Sequence, residues 1–127
     1  MNPLILIVAT FTIFVLGSCD KQTQSIEHET TIEIIQPYEN QTFTQNDTIQ
    51  IEAFIQSNVS MHGYEVLIQK GGETKSLKSR HTHNKTFEVR AEWIVDTANL
   101  DEVTIEVIAN IDHENTKQSK NIVVKIN

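Results

Sequence analysis

The fold class of this chain follows from residues 31–55, TIEIIQPYENQTFTQNDTIQIEAFI. Two runs in which apolar and polar residues alternate, 31–36 and 48–56, flank a polar stretch that begins at Pro37 and favours turns. Alternation with a period of two places the apolar side chains of a run on one face of a β-strand. The segment therefore predicts two consecutive strands joined by a turn.

The same alternation recurs five more times towards the C-terminus, and no helical periodicity interrupts it. The further predicted strands are residues 62–69, 74–79, 85–95, 102–111 and 119–127. The tetrapeptide Lys70-Gly71-Gly72-Glu73 predicts a hairpin turn. Seven short strands are typical of an immunoglobulin-like sandwich, and residues 31–55 resemble bacterial immunoglobulin-like repeats. We therefore predict an all-β chain whose residues 31–127 form a seven-stranded, antiparallel, immunoglobulin-like β-sandwich.

The N-terminal part of the chain differs from the rest. An apolar run from Leu4 to Leu16 is too short to span a membrane comfortably and ends at Leu16-Gly17-Ser18-Cys19. This tetrapeptide resembles the lipobox of bacterial lipoproteins. The resemblance implies that residues 1–18 are a cleaved signal peptide and that Cys19 carries acyl chains such as palmitate. Residues 19–30 are then the lipidated cysteine and a polar, flexible tether. A buried helix or an uncleaved anchor is the alternative.

Composition excludes several function classes. Cys19 is the only cysteine, so the chain can form no internal disulfide and offers no further thiol as nucleophile or metal ligand. Seventeen acidic and ten basic residues give a net charge of −7, which argues against nucleic acid as a partner. No nucleophile elbow or phosphate-binding glycine loop occurs. These observations favour a binding module and not an enzyme.

Four histidines are predicted to meet at one end of the sandwich. His62 follows the loop between the second and third strands, His81 and His83 lie between the fourth and fifth, and His113 lies between the sixth and seventh. These three loops share one end of a seven-stranded sandwich. By the alternation of side chains, each histidine would continue an inward-facing row and cover the end of the core. His28, in the tether, is expected to be exposed.

Clustered imidazoles are good ligands for zinc and copper. We therefore predict a metal site formed by His62, His81, His83 and His113, to which Asp112 or Glu114 could add an oxygen ligand. The pattern MHGYEV, HTH and DH, at residues 61–66, 81–83 and 112–113, also resembles single-domain lipoproteins of the Bacteroidota with a histidine-bearing immunoglobulin-like fold. That resemblance implies the same four positions as ligands. The alternative is that the histidines are merely solvated, cover the core, or sense pH.

Taken together, the sequence predicts a lipid-anchored, cell-envelope binding module that binds copper or zinc. We expect the lipid to attach the chain to a bacterial membrane, namely the periplasmic or surface side of the outer membrane. An envelope protein is the second expected partner. The alternative is a structural module, or one that binds protein or glycan, without a metal. A hydrolytic metal enzyme is disfavoured, because only Asp112 or Glu114 could act as its general base.

Overall fold

The computed structural model of the protein describes residues 27–96 and 101–127. These residues form six strands and no helix: β1 (Thr30–Gln36), β2 (Thr42–Phe43), β3 (Thr48–Lys70), β4 (Glu73–Ile94), β5 (Glu102–Asn110) and β6 (Lys117–Ile126). Among the described residues, no helix is long and apolar enough to cross a membrane. The all-β prediction is confirmed. The predicted signal peptide, Cys19 and the tether as far as residue 26 lie outside the described residues.

A long hairpin of β3 and β4 organises the sandwich. Its turn is at Gly71-Gly72, where both residues have positive φ (53° and 83°), as a two-residue hairpin turn requires. The first half of β3 lies between β1 and the second half of β4. The second half of β3 lies between the first half of β4 and β5. β6 pairs with β5, and β2 pairs with β6 in parallel, unlike the antiparallel pairs elsewhere among the described strands.

The hairpin folds back on itself. The Nζ atom of Lys70, at the hairpin's tip, lies 2.6 Å from the Oδ1 atom of Asp96, which follows the end of β4. This contact requires the two halves of the hairpin to stack, so that each contributes to a different layer. Side chains from both halves of β3 and from β1, β5 and β6 join one buried apolar cluster. The chain therefore forms a β-sandwich in which β3 and β4 each pass from one layer to the other.

The strand count differs from the predicted seven. Predicted strands 48–56 and 62–69 are continuous in β3, and predicted strands 74–79 and 85–95 are continuous in β4. Where the sequence suggested loops, the β3–β4 pairing continues through register shifts between Gln56 and Met61 and between Met61 and Gly63. Such β-bulges bend a strand without ending it. The short β2 was not predicted.

The inward-facing rows agree with the alternation in the sequence. Fully buried side chains occupy odd positions from Ile49 to Ile55 in β3 and even positions from Tyr64 to Ile68. The change from odd to even occurs at the bulges, where Met61 is also fully buried. The predicted inner rows Val103–Ile111 and Ile122–Ile126 are likewise buried. Because these rows are almost entirely aliphatic, burial of apolar surface is the main stabilising term.

The fold has two distinct ends. At one end lie the start of β1, the bend of the β3–β4 hairpin near residues 57–63 and 80–86, and the loop between β5 and β6; we call it the histidine pole. At the far end, the hairpin tip meets Asp96, and backbone hydrogen bonds join Asn46 to Val95 and Lys125 to Gln41. The three segments that were predicted to meet at one end therefore do so. Two of them are bends in continuous strands, and only the segment between β5 and β6 is a loop.

Candidate metal centre

A β-bulge brings His62 beside His83. Met61 pairs with Asn84 and Gly63 pairs with His81. One residue of β3, His62, therefore faces two residues of β4, Thr82 and His83. The extra residue in β4 interrupts the regular pairing of the two strands at this point and changes the direction of its side chain. As a result, the Nε2 atom of His83 lies 3.2 Å from the Nδ1 atom of His62.

Gly63 makes this close approach of the two strands achievable. Its φ is +139°, which residues with a Cβ rarely adopt. A Cβ atom placed there would overlap the backbone carbonyl of Arg80 in β4. Gly63 also pairs with Asn110 at the end of β5, so it lies between the two elements that carry the other histidines. The missing side chain thus lets β4 approach β3 closely beside His62.

The third histidine comes from the loop between β5 and β6. The N–H of Ile111 donates to the carbonyl of Thr116 (2.8 Å), which closes the loop. The Oδ1 atom of Asp112 accepts hydrogen bonds from the backbone N–H groups of Glu114 (2.9 Å) and Thr116 (3.0 Å). This Asx-type turn fixes the residue in between, His113. Its ring centroid lies 3.8 Å from that of His62.

The three side chains form one compact group of nitrogen atoms. One ring nitrogen each of His62, His83 and His113 lie within 4.8 Å of one another. His62 is half-buried, whereas His83 and His113 are exposed. The structure therefore brings together three of the four predicted ligands, and this group could hold a metal ion.

His81 lies at the edge of the group. Its ring centroid is 5.5 Å from that of His83 and 6.3 Å from that of His62, and it does not join the compact group of three. The prediction that the histidines continue the inner rows and cover the core is wrong for His81, His83 and His113, which are exposed. In β4, the register shifts at the bulges interrupt the inner row before it reaches His81 and His83. His113 lies beyond the end of β5, in the loop that the hydrogen bond from Ile111 to Thr116 closes.

Two groups at the site have shifted pKa values. Partial burial lowers the pKa of His62, and repulsion from the other three imidazoles lowers it further, although the Asp112 carboxylate partly opposes this. Hydrogen bonds from Thr116 are the main cause of a lowered pKa of Asp112. His62 is therefore held in the neutral form that binds metals, and Asp112 is held as a carboxylate.

The N-terminal segment also reaches the pole, which the sequence did not predict. Asn58, in the bend of β3, holds it: its Oδ1 accepts from the N–H of Glu29 (3.1 Å), its Nδ2 donates to the carbonyl of Glu27 (3.2 Å), and its own N–H donates to the carbonyl of Glu29 (3.1 Å). His28, between these residues, is exposed as predicted and lies near enough to Asp112 to lower its pKa. The only sequence signal at Asn58 is its preference for turns, which does not predict this role, whereas Gly63, isolated within a strand, is typical of a bulge.

Comparison with known proteins identifies the fold and not a family. No protein-family model and no curated protein matches the chain. Among solved structures, the fibronectin(III)-like modules of CbhA from Clostridium thermocellum are similar, with 15% identity over 76% of this chain and 94% of that chain and a TM-score of 0.53.

The CARDB domain of PF1109 from Pyrococcus furiosus is also similar, at 11% identity and a TM-score of 0.52. Its solution structure aligns over 78% of this chain and 94% of that chain. A crystal structure of that domain in complex with di-metal ions aligns over 79% and 89%, respectively. At these identities the likeness concerns the fold alone, and it confirms that the chain is an immunoglobulin-like β-sandwich.

Proposed function

We propose that this chain is a binding module of the bacterial cell envelope that holds a copper or zinc ion through His62, His83 and His113. The observation that carries the proposal is the grouping of three ring nitrogens within 4.8 Å of one another. Two nitrogens bound tetrahedrally to zinc are about 3.4 Å apart, as follows from Zn–N distances near 2.1 Å. The 3.2 Å between His62 and His83 is close to that separation.

A fourth ligand would complete a tetrahedral site. His81 is the predicted candidate, and it lies on the same strand as His83, with their ring centroids 5.5 Å apart. A rotation of its side chain, which is exposed, could bring it to the ion. Water is the other natural occupant of an open position. The CARDB domain of PF1109, described in complex with di-metal ions, shares only the fold, so the histidines alone support the metal.

The proposal includes a binding role and not catalysis. A hydrolytic metal site needs a general base near the open position. Of the two candidate bases, the Asp112 carboxylate already accepts two backbone hydrogen bonds, and its lowered pKa makes it a poor proton acceptor near neutral pH. The other candidate, Glu114, has an exposed side chain. The lipid anchor at Cys19 is supported by the sequence Leu16-Gly17-Ser18-Cys19, and the histidine pattern resembles that of Bacteroidota lipoproteins. The outer-membrane location is part of the proposal.

Metal binding can be tested on the full chain purified in detergent. We expect stoichiometric binding of Zn²⁺ or Cu²⁺ in a calorimetric titration and a rise in melting temperature of at least about 10 °C at a metal concentration 100-fold above Kd. His83→Ala should weaken binding more than about 100-fold, since even outer-shell partners of a metal are worth about 10- to 100-fold. His28→Ala, outside the group of three, is the matched control and should bind as the unmodified chain does. Equal affinity of the chain and its His83→Ala variant would refute the proposal.

A second candidate function is an interaction module without a metal. The contact between His62 and His83 is also the length of a hydrogen bond between two neutral imidazoles, which needs no ion. In the part of the chain that the structure describes, three large apolar side chains are exposed away from the pole: Ile35 (49%), Tyr38 (74%) and Ile94 (58%). Aromatic residues such as Tyr38 are enriched at protein–protein interfaces. Loss of partner binding on Tyr38→Ser, with no effect of His83→Ala, would favour this function.

A further inference from the structure

We infer that the histidine pole faces the membrane to which Cys19 would attach the chain, so that a metal ion held there is exchanged with metal-chelating groups at the surface of that same membrane. The inference rests on the proposed metal site and on the proposed lipid anchor. It is carried by three features of the described residues: where the chain enters the domain, how that entry is fastened, and how charge is distributed between the two ends.

The chain enters the domain at the pole. Residues 27–29 lead directly into β1, whose first residue, Thr30, pairs with Ser57 at the bend of β3. The Oγ atoms of Thr30 and Ser57 form a buried hydrogen bond of 2.9 Å at this point. β1 then runs away from the pole towards the far end. The attachment point of the N-terminal segment is therefore on the side of the histidines.

The length of chain to the anchor keeps this attachment close to the membrane. Eight peptide steps separate Cys19 from Glu27. Fully extended, they span at most about 29 Å, and any other conformation is shorter. The far end lies one strand length beyond the pole, roughly 30 Å for a strand of nine or ten residues. The pole is thus the end of the domain that the anchor holds nearest to the lipid.

Asn58 fastens the entering segment at the pole, so residues 27–29 do not move freely about residue 30. Its amide and backbone make three hydrogen bonds to Glu27 and Glu29. A free tether would let either end of the domain turn to the membrane. Residues 27–29 are held along the bend, on the side of the histidines, where His28 interacts electrostatically with Asp112.

Charge favours the same orientation. Of the residues that the structure describes, four acidic and three basic residues lie at the pole, either in the bend of the hairpin or near the ends of the other elements: Glu27, Glu29, Asp112, Glu114, Arg80, Lys85 and Lys117. At the far end lie six acidic and two basic residues: Glu39, Asp47, Glu73, Asp96, Asp101, Glu102, Lys70 and Lys125. An anionic membrane surface repels acidic groups within about a Debye length, some 8–10 Å. The far end, with a net charge of −4 against −1, is therefore the end that the membrane repels more.

The orientation can be measured by fluorescence quenching. The lipidated full chain is placed in vesicles of phosphatidylethanolamine and phosphatidylglycerol (3:1) that contain a small fraction of lipid with a quenching headgroup. A fluorophore is attached to a new thiol at the pole (Glu114→Cys) or at the far end (Gln45→Cys). The unmodified chain should not react with the fluorophore, because its only thiol would carry the lipid; if it reacts, the anchor and with it the inference fail.

We expect quenching at position 114 to exceed quenching at position 45 at least about threefold. Equal or reversed quenching would overturn the inference. In the Asn58→Ala background, the difference should shrink, because the entering segment is released; an unchanged difference would refute the role of the clamp. Circular dichroism of each variant checks that the β-sandwich has formed before the vesicles are prepared.

Metal exchange gives a second readout. Zinc-loaded iminodiacetate lipids are included either in the same vesicles as the chain or in separate vesicles. We expect the chain to take up zinc at least about tenfold faster from its own vesicle, and equal rates would overturn the inferred exchange. Orientation and metal binding can fail separately: an unequal quenching pattern without zinc uptake would refute the proposed function while leaving the orientation intact.

Discussion

His83 and His62 lie with their facing ring nitrogens 3.2 Å apart across a β-bulge. Two neutral imidazoles at this distance form a hydrogen bond when one tautomer donates and the other accepts. The same distance suits two ligands of one ion. The geometry of the pair therefore suits both a shared proton and a shared metal ion. Because the bulge holds the two rings together, binding of an ion would require little further ordering of the pair.

The metal-free hydrogen bond can be measured with a double-mutant cycle. In the presence of EDTA, we expect His62→Ala and His83→Ala to couple by about 0.5–1.5 kcal/mol in the free energy of unfolding, the net value of a typical hydrogen bond. Urea denaturation at pH 7.5 measures each corner of the cycle. A coupling energy of zero would mean that the two rings do not bond in solution.

Acidification should destabilise the metal-free protein in two steps. The pKa of His62 is lowered in the folded state, so the folded chain binds fewer protons than the unfolded chain, and stability falls as the pH drops below the ordinary histidine value of about 6.5. The lowered pKa of Asp112 adds a second loss below its ordinary value of about 3.9. Urea midpoints with EDTA between pH 8 and 3 test both steps. His62→Gln should flatten the upper step and leave the lower one; an unaltered upper step would contradict the assignment.

Asp112 should act on the metal through the position of His113. Asp112→Ala removes the acceptor of two backbone N–H groups and loosens the loop between β5 and β6. We expect zinc affinity to fall about tenfold, as it does when a residue that orients a ligand is removed. Asp112→Asn keeps an oxygen at Oδ1 and should retain most of the affinity. Zinc titrations of the two variants check this, and an equal loss in both would show that the carboxylate charge matters and not the turn.

The sequence predicts the core better than the histidine cluster, for a physical reason. A period of two is enough to identify Ile49, Ile51 and Ile55 as buried, because every residue of a regular strand obeys it. The end of the sandwich that carries the histidines also follows from strand order alone. The grouping of His83, and not His81, with His62 depends instead on one bulge in the β3–β4 pairing.

His81 and His83 have the same parity, so alternation treats them alike. The two histidines differ only because two β4 residues, Thr82 and His83, lie opposite one β3 residue, His62. That pairing depends on contacts between segments that are distant in the sequence. The polar stretch Ser57-Asn58 resembles a loop in sequence because both residue types favour turns. In the structure it continues β3, since Ser57 pairs with the buried Thr30 hydroxyl and Asn58 holds the entering chain. Tertiary partners thus override the local preference.

The ion pair between Lys70 and Asp96 should contribute little to stability, although it marks the closure of the folded hairpin. The Asp96 side chain is 47% exposed, and exposed ion pairs contribute about 0–1 kcal/mol. We expect Asp96→Asn to lower the free energy of unfolding by no more than about 1 kcal/mol, and by less in 1 M salt, where the charges are screened. Lys70→Ala should cost more, because the Nζ atom of Lys70 also lies 5.8 Å from the centre of the Trp93 ring. Equal losses in both variants would contradict this ranking.

Gly63 should be the most sensitive single position for both folding and metal binding. In Gly63→Ala, the new methyl group would overlap the Arg80 carbonyl, and the φ of +139° would strain the backbone. Backbone atoms of a paired strand cannot give way cheaply, so we expect a loss on the order of 3 kcal/mol in the free energy of unfolding, measured by urea denaturation. Gly72→Ala is the matched control: its φ is also positive (83°), but no atom lies within 4 Å of the added methyl group. It should cost only about 1–2 kcal/mol, the strain of a left-handed residue.

Zinc affinity separates the Gly63→Ala and Gly72→Ala variants further, because β4 must shift in Gly63→Ala and carry His83 with it, whereas the Gly72 turn lies at the far end. Unimpaired zinc binding by a folded Gly63→Ala variant would show that the bulge does not position the histidines.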